Sequence, residues 1–188
     1  MSDDVLLDAA RQCVLAVGVR RTTLAEIART AKVSRMTVYR RFPDVRSVLA
    51  ALMTREFGGL LQRASSQGMD AATSRDRLVL IASAGVGALS VDPLFRTLLD
   101  VDAELLLPYI VERLGATQHF AEQVILQLLQ SGHDDGSIRQ ARNLLAQARS
   151  VLLVLQSFAF SLRPASAGLE EAALLEEFTH VLDAMLRP

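Results

Sequence analysis

The sequence predicts an all-α protein with a helix-turn-helix near its N-terminus and a larger helical domain after it. Apolar residues recur at spacings of three and four along most of the chain, which is the period of an amphipathic helix. The composition agrees, since 51% of the 188 residues are hydrophobic, tryptophan is absent and prolines number only five. We find no convincing run of alternating apolar and polar residues, so strands are not expected.

The first helix is predicted over residues 3–18. Asp3 and Asp4 lie in its first turn, where acidic side chains favour the positive end of the helix dipole, and Gly18 suits its end. Cys13 shares an apolar stripe with Leu6. We interpret Cys13 as a buried core thiol rather than a redox sensor or a disulfide partner.

The helix-turn-helix follows between Thr22 and Leu49. Its first helix carries an apolar stripe and ends at the turn Lys32-Val33, after which Ser34 caps the second helix. Val33 and Val38 supply the apolar contacts between the two helices. The stripe of the first helix consists of Leu24, Ile27, Ala28 and Ala31.

The second helix of this motif presents hydrogen-bond donors, guanidinium groups and one aromatic ring. A major groove with its phosphate walls is recognised by this chemistry. The alternative is a pair of short surface helices with solvated arginines. The side chains expected on the exposed face are Arg35, Met36, Thr37, Tyr39, Arg40 and Arg41.

The continuation of this helix into Tyr39-x-x-Phe42-Pro43-Asp44 and a further apolar helix resembles the TetR/AcrR family of transcriptional regulators. The family usually has glycine where this chain has Lys32, so a left-handed turn residue would here carry a side chain. It usually has a phosphate-binding lysine where this chain has Val45, with Arg46 one position later.

The resemblance implies a role for each exposed residue of the motif. Thr23 and Tyr39 would contact phosphates, and Lys32 and Arg46 are secondary phosphate candidates. Arg35, Thr37 and Arg40 would reach base edges or the adjacent backbone. The predicted DNA-binding residues are Thr23, Lys32, Ser34, Arg35, Met36, Thr37, Tyr39, Arg40 and Arg46.

The charges divide along the chain in the same sense. Residues 1–47 hold nine basic and five acidic side chains, whereas the rest holds eleven basic and sixteen acidic ones. The formal net charge of -1 therefore hides a basic N-terminal part on an acidic remainder. A basic N-terminal part is the footprint expected for phosphate contacts. We predict a DNA-binding domain over residues 1–47 and an effector-binding and dimerisation domain over residues 48–188.

Six further helices are expected, and the first of them has Gly58-Gly59 in its middle. This pair is interpreted as a weak point for bending, with close packing against a neighbouring helix as the alternative. Asp92 and Pro93 are typical of a helix start. The predicted helices cover about 44–64, 74–89, a helix from 93 that Pro108 breaks, 117–130, 140–162 and 169–186, with a polar segment at 65–73 and a turn-rich loop at 131–137.

The last two helices are apolar over more surface than one neighbour covers. Either they form a broad intramolecular core, or they form a four-helix bundle across a homodimer, which the resemblance also implies. The family's effector cavity would be surrounded by hydrophobic or amphipathic residues, which also suit a plain core. The candidates are Leu61, Phe95, Leu99, Tyr109, Phe120, Gln123 and Phe158.

Enzymatic chemistry has little support, because the three histidines lack metal-ligand spacing and no phosphate loop or nucleophile elbow occurs. We expect no cofactor and no metal.

The acidic start argues against a secretory signal, and the longest apolar runs, 78–91 and 151–162, fall short of a membrane span. The expectation is a cytoplasmic dimer that represses transcription from a palindromic operator and leaves it when a small hydrophobic or amphipathic effector binds. The alternatives are a constitutive DNA-binding scaffold whose C-terminal domain binds a protein partner or nothing, and a helical enzyme that carries the motif.

Overall fold

A computed structural model describes residues 3–108 and 112–188 of the protein. These residues form helices without any strand, which confirms the all-α prediction. The helices are α1 (Asp3–Val17), α2 (Leu24–Thr30), α3 (Arg35–Arg41), α4 (Val45–Gln67), α5 (Ser74–Val91), α6 (Pro93–Val101), a 3-10 turn (Ala103–Leu105), α7 (Ala116–Asp134), α8 (Leu144–Ala165) and α9 (Glu171–Leu186).

The chain divides into two compact units. The head unit consists of Met1–Phe57 and Asp92–Arg113, and the body unit consists of Gly58–Val91 and Leu114–Pro188. Helix α6 therefore belongs to the same unit as the helix-turn-helix, although it is far away in sequence, and it packs against α1. The functional division predicted after Ser47 stays a prediction, because the units are defined by packing alone.

The core of the head unit is built on α1. Leu6, Ala10 and Val14 are fully buried on this helix, which packs against α2 and α6. Cys13 is buried as predicted, with its sulfur 3.5 Å from the Thr30 hydroxyl. Phe95 of α6 meets Phe57 edge to face, with ring centroids 5.5 Å apart.

The core of the body unit joins α5, α7, α8 and α9. Phe178 of α9 is fully buried and meets Phe158 of α8 at a centroid distance of 4.6 Å. The other central members share full or near-full burial and are Leu78, Ile81, Val86, Ile125, Leu129, Val151, Leu152, Leu182 and Leu186.

The connection after α7 caps the start of α5. The carboxylate of Asp135 accepts hydrogen bonds from the backbone N–H of Ser74 at 3.0 Å and of Ser137 at 2.8 Å. The Ser137 hydroxyl accepts another from the backbone N–H of Arg75 at 3.1 Å. The bonds from Ser137 and Ser74 hold the pKa of Asp135 well below its usual range. A carboxylate here also favours the positive end of the α5 dipole.

Two helices continue beyond their predicted ends. Helix α4 continues to Gln67, and α7 continues to Asp134, so part of the predicted loop at 131–137 is helical. Gly132 lies in the last turns of α7 because Ile138 packs directly on it. Turn-forming residues are weak signals when tertiary packing favours the helix.

Helix α8 begins later than predicted. Asn143 caps it by accepting a hydrogen bond from the backbone N–H of Ala146 at 3.0 Å, and the helix ends at Ala165. Of the described helices, α8 alone is by itself long and apolar enough to match a membrane span, whereas α5 and α6 match one only when they are counted together. The apolar run predicted at 151–162 was too short for such a span. Ala148, Val151 and Leu152 on its inner side are buried in the body core. Core helices of folded proteins often reach this hydropathy, so length and composition do not distinguish the two environments.

Gly132→Ala should destabilise the body unit. A Cβ built on Gly132 would overlap the side chain of Ile138, so Ile138 would be forced out of its buried position. We expect the free energy of unfolding to fall by about 1–3 kcal/mol, measured by denaturant unfolding.

The matched control is Gly58→Ala. A Cβ on Gly58 meets no described atom within 4 Å, so only helix propensity changes. This variant should gain roughly 0.5–1 kcal/mol. Equal effects of the two substitutions would contradict the packing described for Gly132.

Candidate nucleic-acid interface

Helix α2 begins with a reciprocal cap. The Thr23 hydroxyl accepts a hydrogen bond from the Glu26 backbone N–H at 3.2 Å, and the Glu26 carboxylate accepts one from the Thr23 backbone N–H at 3.3 Å. Thr23 is exposed. Its hydroxyl also lies 3.2 Å from the Glu26 carboxylate, so a phosphate bound by this hydroxyl would take over that bond.

The turn between α2 and α3 has the left-handed residue that the sequence predicts. Lys32 adopts a φ of 55° and is the one non-glycine residue with positive φ among the described residues. The backbone N–H of Val33 then donates to the carbonyl of Ala28 at 2.9 Å. Ser34 caps α3 as predicted, its hydroxyl accepting from the Thr37 backbone N–H at 3.1 Å.

One side of α3 is buried and the other is exposed. Val38 is fully buried and fixes the rotation of the helix, while Met36 is 75% and Tyr39 50% exposed. Arg35 and Arg40 are exposed beside them. Thr37 is half-buried and its hydroxyl lies 2.8 Å from that of Ser34, so it is the least accessible of the predicted contacts.

Ion pairs occupy four of the nine basic side chains in residues 1–47. Arg11 lies 3.3 Å from the Glu56 carboxylate and Arg41 lies 3.4 Å from that of Asp3. Arg29 has a long contact to Glu26 at 3.9 Å, and Arg20 pairs with Glu104. Within the described residues, the remaining five form no ion pair: Arg21, Lys32, Arg35, Arg40 and Arg46. Arg46 nevertheless acts on Asp44, whose pKa is lowered mainly by hydrogen bonds to Ser47 and in smaller part by the Arg46 charge.

The DNA contacts predicted from the sequence stay a prediction. The four basic residues among them form no ion pair with a described acidic residue, whereas Arg41, expected on the same exposed face, is engaged by Asp3. Arg21 is exposed, unpaired within the described part of the chain and two residues before Thr23, and sequence reasoning missed it. Its position directly before the predicted start of α2 was an available signal.

The predicted ligand-binding residues are divided between the two units. Phe95 and Leu99 belong to α6 in the head unit, where Phe95 is buried against Phe57. The others that the structure describes lie in the body unit: Leu61 and Phe158 are half-buried, and Phe120 and Gln123 are exposed. Tyr109 lies outside the described residues. The ligand role of these residues stays a prediction. An open groove of about 570 Å³ lies between α2 and α3, and none of them lines it.

Two of the three histidines, His133 and His119, lie close to polar side chains of the body unit. His133 bonds to Gln147 at 2.9 Å, and His119 lies 3.5 Å from the carboxylate of Glu122. Glu122 is buried, and its hydrogen bond from Arg149 at 2.7 Å is the main cause of its lowered pKa. Among the described residues, no group of three or more metal-ligating side chains comes together.

The N-terminal part of the chain matches a family of known proteins. Residues 6–52 match the family described as bacterial regulatory proteins, tetR family. An HTH-type transcriptional regulator of Mycobacterium bovis is 39% identical over 183 residues, which cover 96% of this chain and 92% of that protein.

Two solved proteins share the fold over almost the whole chain. FadR from Bacillus subtilis in complex with stearoyl-CoA has a TM-score of 0.69 at 17% identity, covering 99% of this chain and 100% of that one. SmeT, the repressor of a Stenotrophomonas maltophilia multidrug efflux pump, has a TM-score of 0.69 at 21% identity, covering 100% and 91%. SmeT has also been solved in complex with triclosan. At such identities these structures establish the all-α fold alone.

Lys32→Gly should stabilise the head unit. A side chain at φ 55° carries strain that glycine avoids, although glycine also loses more chain entropy on folding. The net gain in the free energy of unfolding is expected to be roughly 0.5–1 kcal/mol. Lys32→Ala is the control in denaturant unfolding, because it removes the charge and keeps the strain. An equal gain in both variants would show that the charge, and not the backbone conformation, is responsible.

Proposed function

The chain belongs to the tetR family of bacterial regulatory proteins, and we propose that it is a repressor that leaves its operator when a small apolar or amphipathic molecule binds. As a member of that family it is a DNA-binding transcriptional regulator. The observation that supports the DNA-binding surface is the partition of charge, since ion pairs leave exposed basic residues on and beside α3. Action on chromosomal DNA would place the protein in the cytoplasm.

The exposed face of α3 suits the major groove. Arg35 and Arg40 carry planar guanidinium groups that suit bidentate contacts with guanine, and Met36 offers an apolar contact. Tyr39, Lys32 and Arg46 would hold the phosphate backbone. Ser34 is occupied as the cap of α3, so it would contribute mainly by its position.

Replacing Arg35, Tyr39 and Arg40 together by alanine should abolish specific binding. The probe is an operator duplex selected from a random library with the wild-type protein. A single change at a base-reading arginine is expected to cost about 1–3 kcal/mol of binding free energy and to relax specificity at one operator position. Lys32→Ala should instead weaken binding to all sequences alike and flatten the plot of log affinity against log salt by about one.

Arg41→Ala is the matched control for these changes. It removes the same charge from the same helix, but the arginine is paired with Asp3, so its effect should be smaller. A triple variant that keeps wild-type operator affinity at moderate salt would refute the role of α3.

The effector is proposed to be apolar or amphipathic. FadR from Bacillus subtilis has been solved with stearoyl-CoA and SmeT with triclosan, two molecules with large apolar parts. The predicted contact residues are mostly apolar, and Gln123 supplies a polar group among them. Protein partners or no ligand at all are the alternative for the C-terminal part.

Stearoyl-CoA and triclosan, within a panel of apolar molecules, are the probes for this proposal. A molecule at one hundred times its Kd should stabilise the protein by about 2.7 kcal/mol, because it binds only the folded state. Thermal unfolding measures the gain, and the same molecule should release operator DNA. Tight binding of small, highly charged metabolites alone would contradict an apolar effector, and an unresponsive protein would favour the scaffold alternative.

The homodimer is proposed to form through the outer faces of α8 and α9. Their inner faces are used within one chain, since Leu152 and Leu182 are buried in the body core. Leu153 is 62% exposed, and Leu145 of α8 and Val181 of α9 are also exposed. Burial of these side chains by a second copy would bring two recognition helices to half-sites about one DNA turn apart, which requires a palindromic operator.

Leu153→Glu with Val181→Glu should separate the dimer without unfolding the chain. Both positions are exposed, so charge is tolerated in the monomer and costly in the interface. Sedimentation and operator titration measure the effect, and Gln127→Glu on the exposed side of α7 is the control. A stable dimer with full operator affinity would place the interface elsewhere.

A further inference from the structure

A fully buried carboxylate connects the end of α6 with the turn before α2. Asp102 directly follows α6 and has no exposed surface. Its Oδ2 accepts a hydrogen bond from the backbone N–H of Val19 at 2.7 Å. Its Oδ1 has no hydrogen-bond partner within the described residues, and the guanidinium of Arg20 lies 3.8 Å away. Both ends of this connection belong to the head unit.

The turn fits closely against the end of α6. Gly18 has a φ of 78°, and a Cβ built on it would lie 3.1 Å from Val101 and 3.2 Å from the Asp102 carboxylate. Arg20 reaches the neighbouring 3-10 turn, where its Nε lies 2.6 Å from Glu104. Within this turn, the backbone of Val19 and the side chain of Arg20 are therefore bonded to residues 102–104, and Gly18 lies close to Val101 and Asp102.

The turn leads directly into the proposed DNA surface. Thr22 is buried and its hydroxyl donates to the carbonyl of Gly18 at 2.8 Å, which closes the turn. Arg21, on one side of Thr22, is exposed, and Thr23, on the other, is the cap of α2. Because Arg20 is engaged by Glu104, Arg21 is the basic residue of this turn that is left for a phosphate.

Stability alone does not account for a carboxylate at this place. Burying a charged group with only part of its hydrogen-bonding capacity satisfied is unfavourable, and apolar residues of similar size usually serve a core better. What a carboxylate supplies is a directional acceptor for one backbone N–H. Its geometric effect is to fix the orientation of the turn at Val19.

We propose that Asp102 is a positioning residue for operator binding, which orients the turn 18–22 so that Arg21 and Thr23 meet the phosphate backbone. The inference rests on the proposed function. It extends the determinants of DNA affinity to a residue 83 positions beyond Val19, outside the helix-turn-helix.

The test compares three variants on an operator duplex selected from a random library with the wild-type protein. Asp102→Leu removes the acceptor and should lower operator affinity roughly tenfold, because a buried N–H is left unpaired and the turn relaxes. The plot of log affinity against log salt should flatten by about one as a phosphate contact is lost. Asp102→Asn keeps an acceptor oxygen and should bind within about threefold of the wild type.

Asp100→Asn is the matched control, since it makes the same charge change on exposed α6 surface and should keep the wild-type salt slope. Each affinity is calculated for the active fraction of the protein, which a stoichiometric titration with the operator gives. Both titrations are done well below the unfolding temperature of the variant. A merely structural role would lower the unfolding temperature and leave the affinity and slope of the folded fraction unchanged.

Gly18→Ala perturbs the contact between the turn and Asp102 from the side of the turn, and it tests the proposal if Asp102→Leu does not fold. Its Cβ would push against Val101 and Asp102, so it should show the same loss of affinity and slope. Wild-type affinity and slope in folded Asp102→Leu or in Gly18→Ala would overturn the positioning role. A wild-type protein that selects no DNA would instead overturn the proposed function itself.

Discussion

The turn between α2 and α3 determines where the exposed face of α3 lies, and it depends on a left-handed backbone at Lys32. The chain reverses there within three residues, between the end of α2 at Thr30 and the cap of α3 at Ser34. Glycine adopts this conformation most easily, and a lysine costs about 1–2 kcal/mol of steric strain. A side chain retained against that cost, exposed and without an acidic neighbour among the described residues, is consistent with a contact made outside the chain.

Electrostatic pairing then separates the basic residues by role. Arg11 and Arg41 hold α1 against its neighbours in the head unit through Glu56 and Asp3, and Arg55 joins the same set with Asp4, Asp8 and Glu56. Hydrogen bonds to Glu56 and Asp8 raise the pKa of Arg55 above its usual value, despite partial burial. Acidic residues of α1 and α4 thus pair with three arginines of the head unit. The number of basic side chains without an ion pair is therefore smaller than the count of basic residues in the sequence suggests.

Local signals made the helix-turn-helix predictable, whereas long-range contacts did not appear in the sequence. The stripe of α2, the cap at Ser34 and the strained residue Lys32 each depend on neighbours within a few positions. The loop predicted at 131–137 is partly helical because Gly132 packs on Ile138, a contact that composition does not reveal. In the sequence, the last two helices are candidates for either an interface or a core, and only the packing shows that Leu182 is buried. The bond between Val19 and Asp102 has no periodic signal at all.

Helix α4 contains the point at which the chain passes from the head unit to the body unit. That boundary falls between Phe57 and Gly58. Close packing does not explain the glycine pair, because a Cβ on Gly58 has free space among the described residues and one on Gly59 meets only the flexible end of Arg63 at 3.4 Å. Each glycine nevertheless costs about 1 kcal/mol of helix propensity relative to alanine. Glycine makes a helix easier to bend, and this pair lies at one of the boundaries between the two units, which the chain also crosses after Val91 and after Arg113. Since α6 lies in the head unit and Asp102 at its end is bonded to the turn before α2, a change at α6 would reach the proposed DNA surface through Asp102 even if α4 stayed straight.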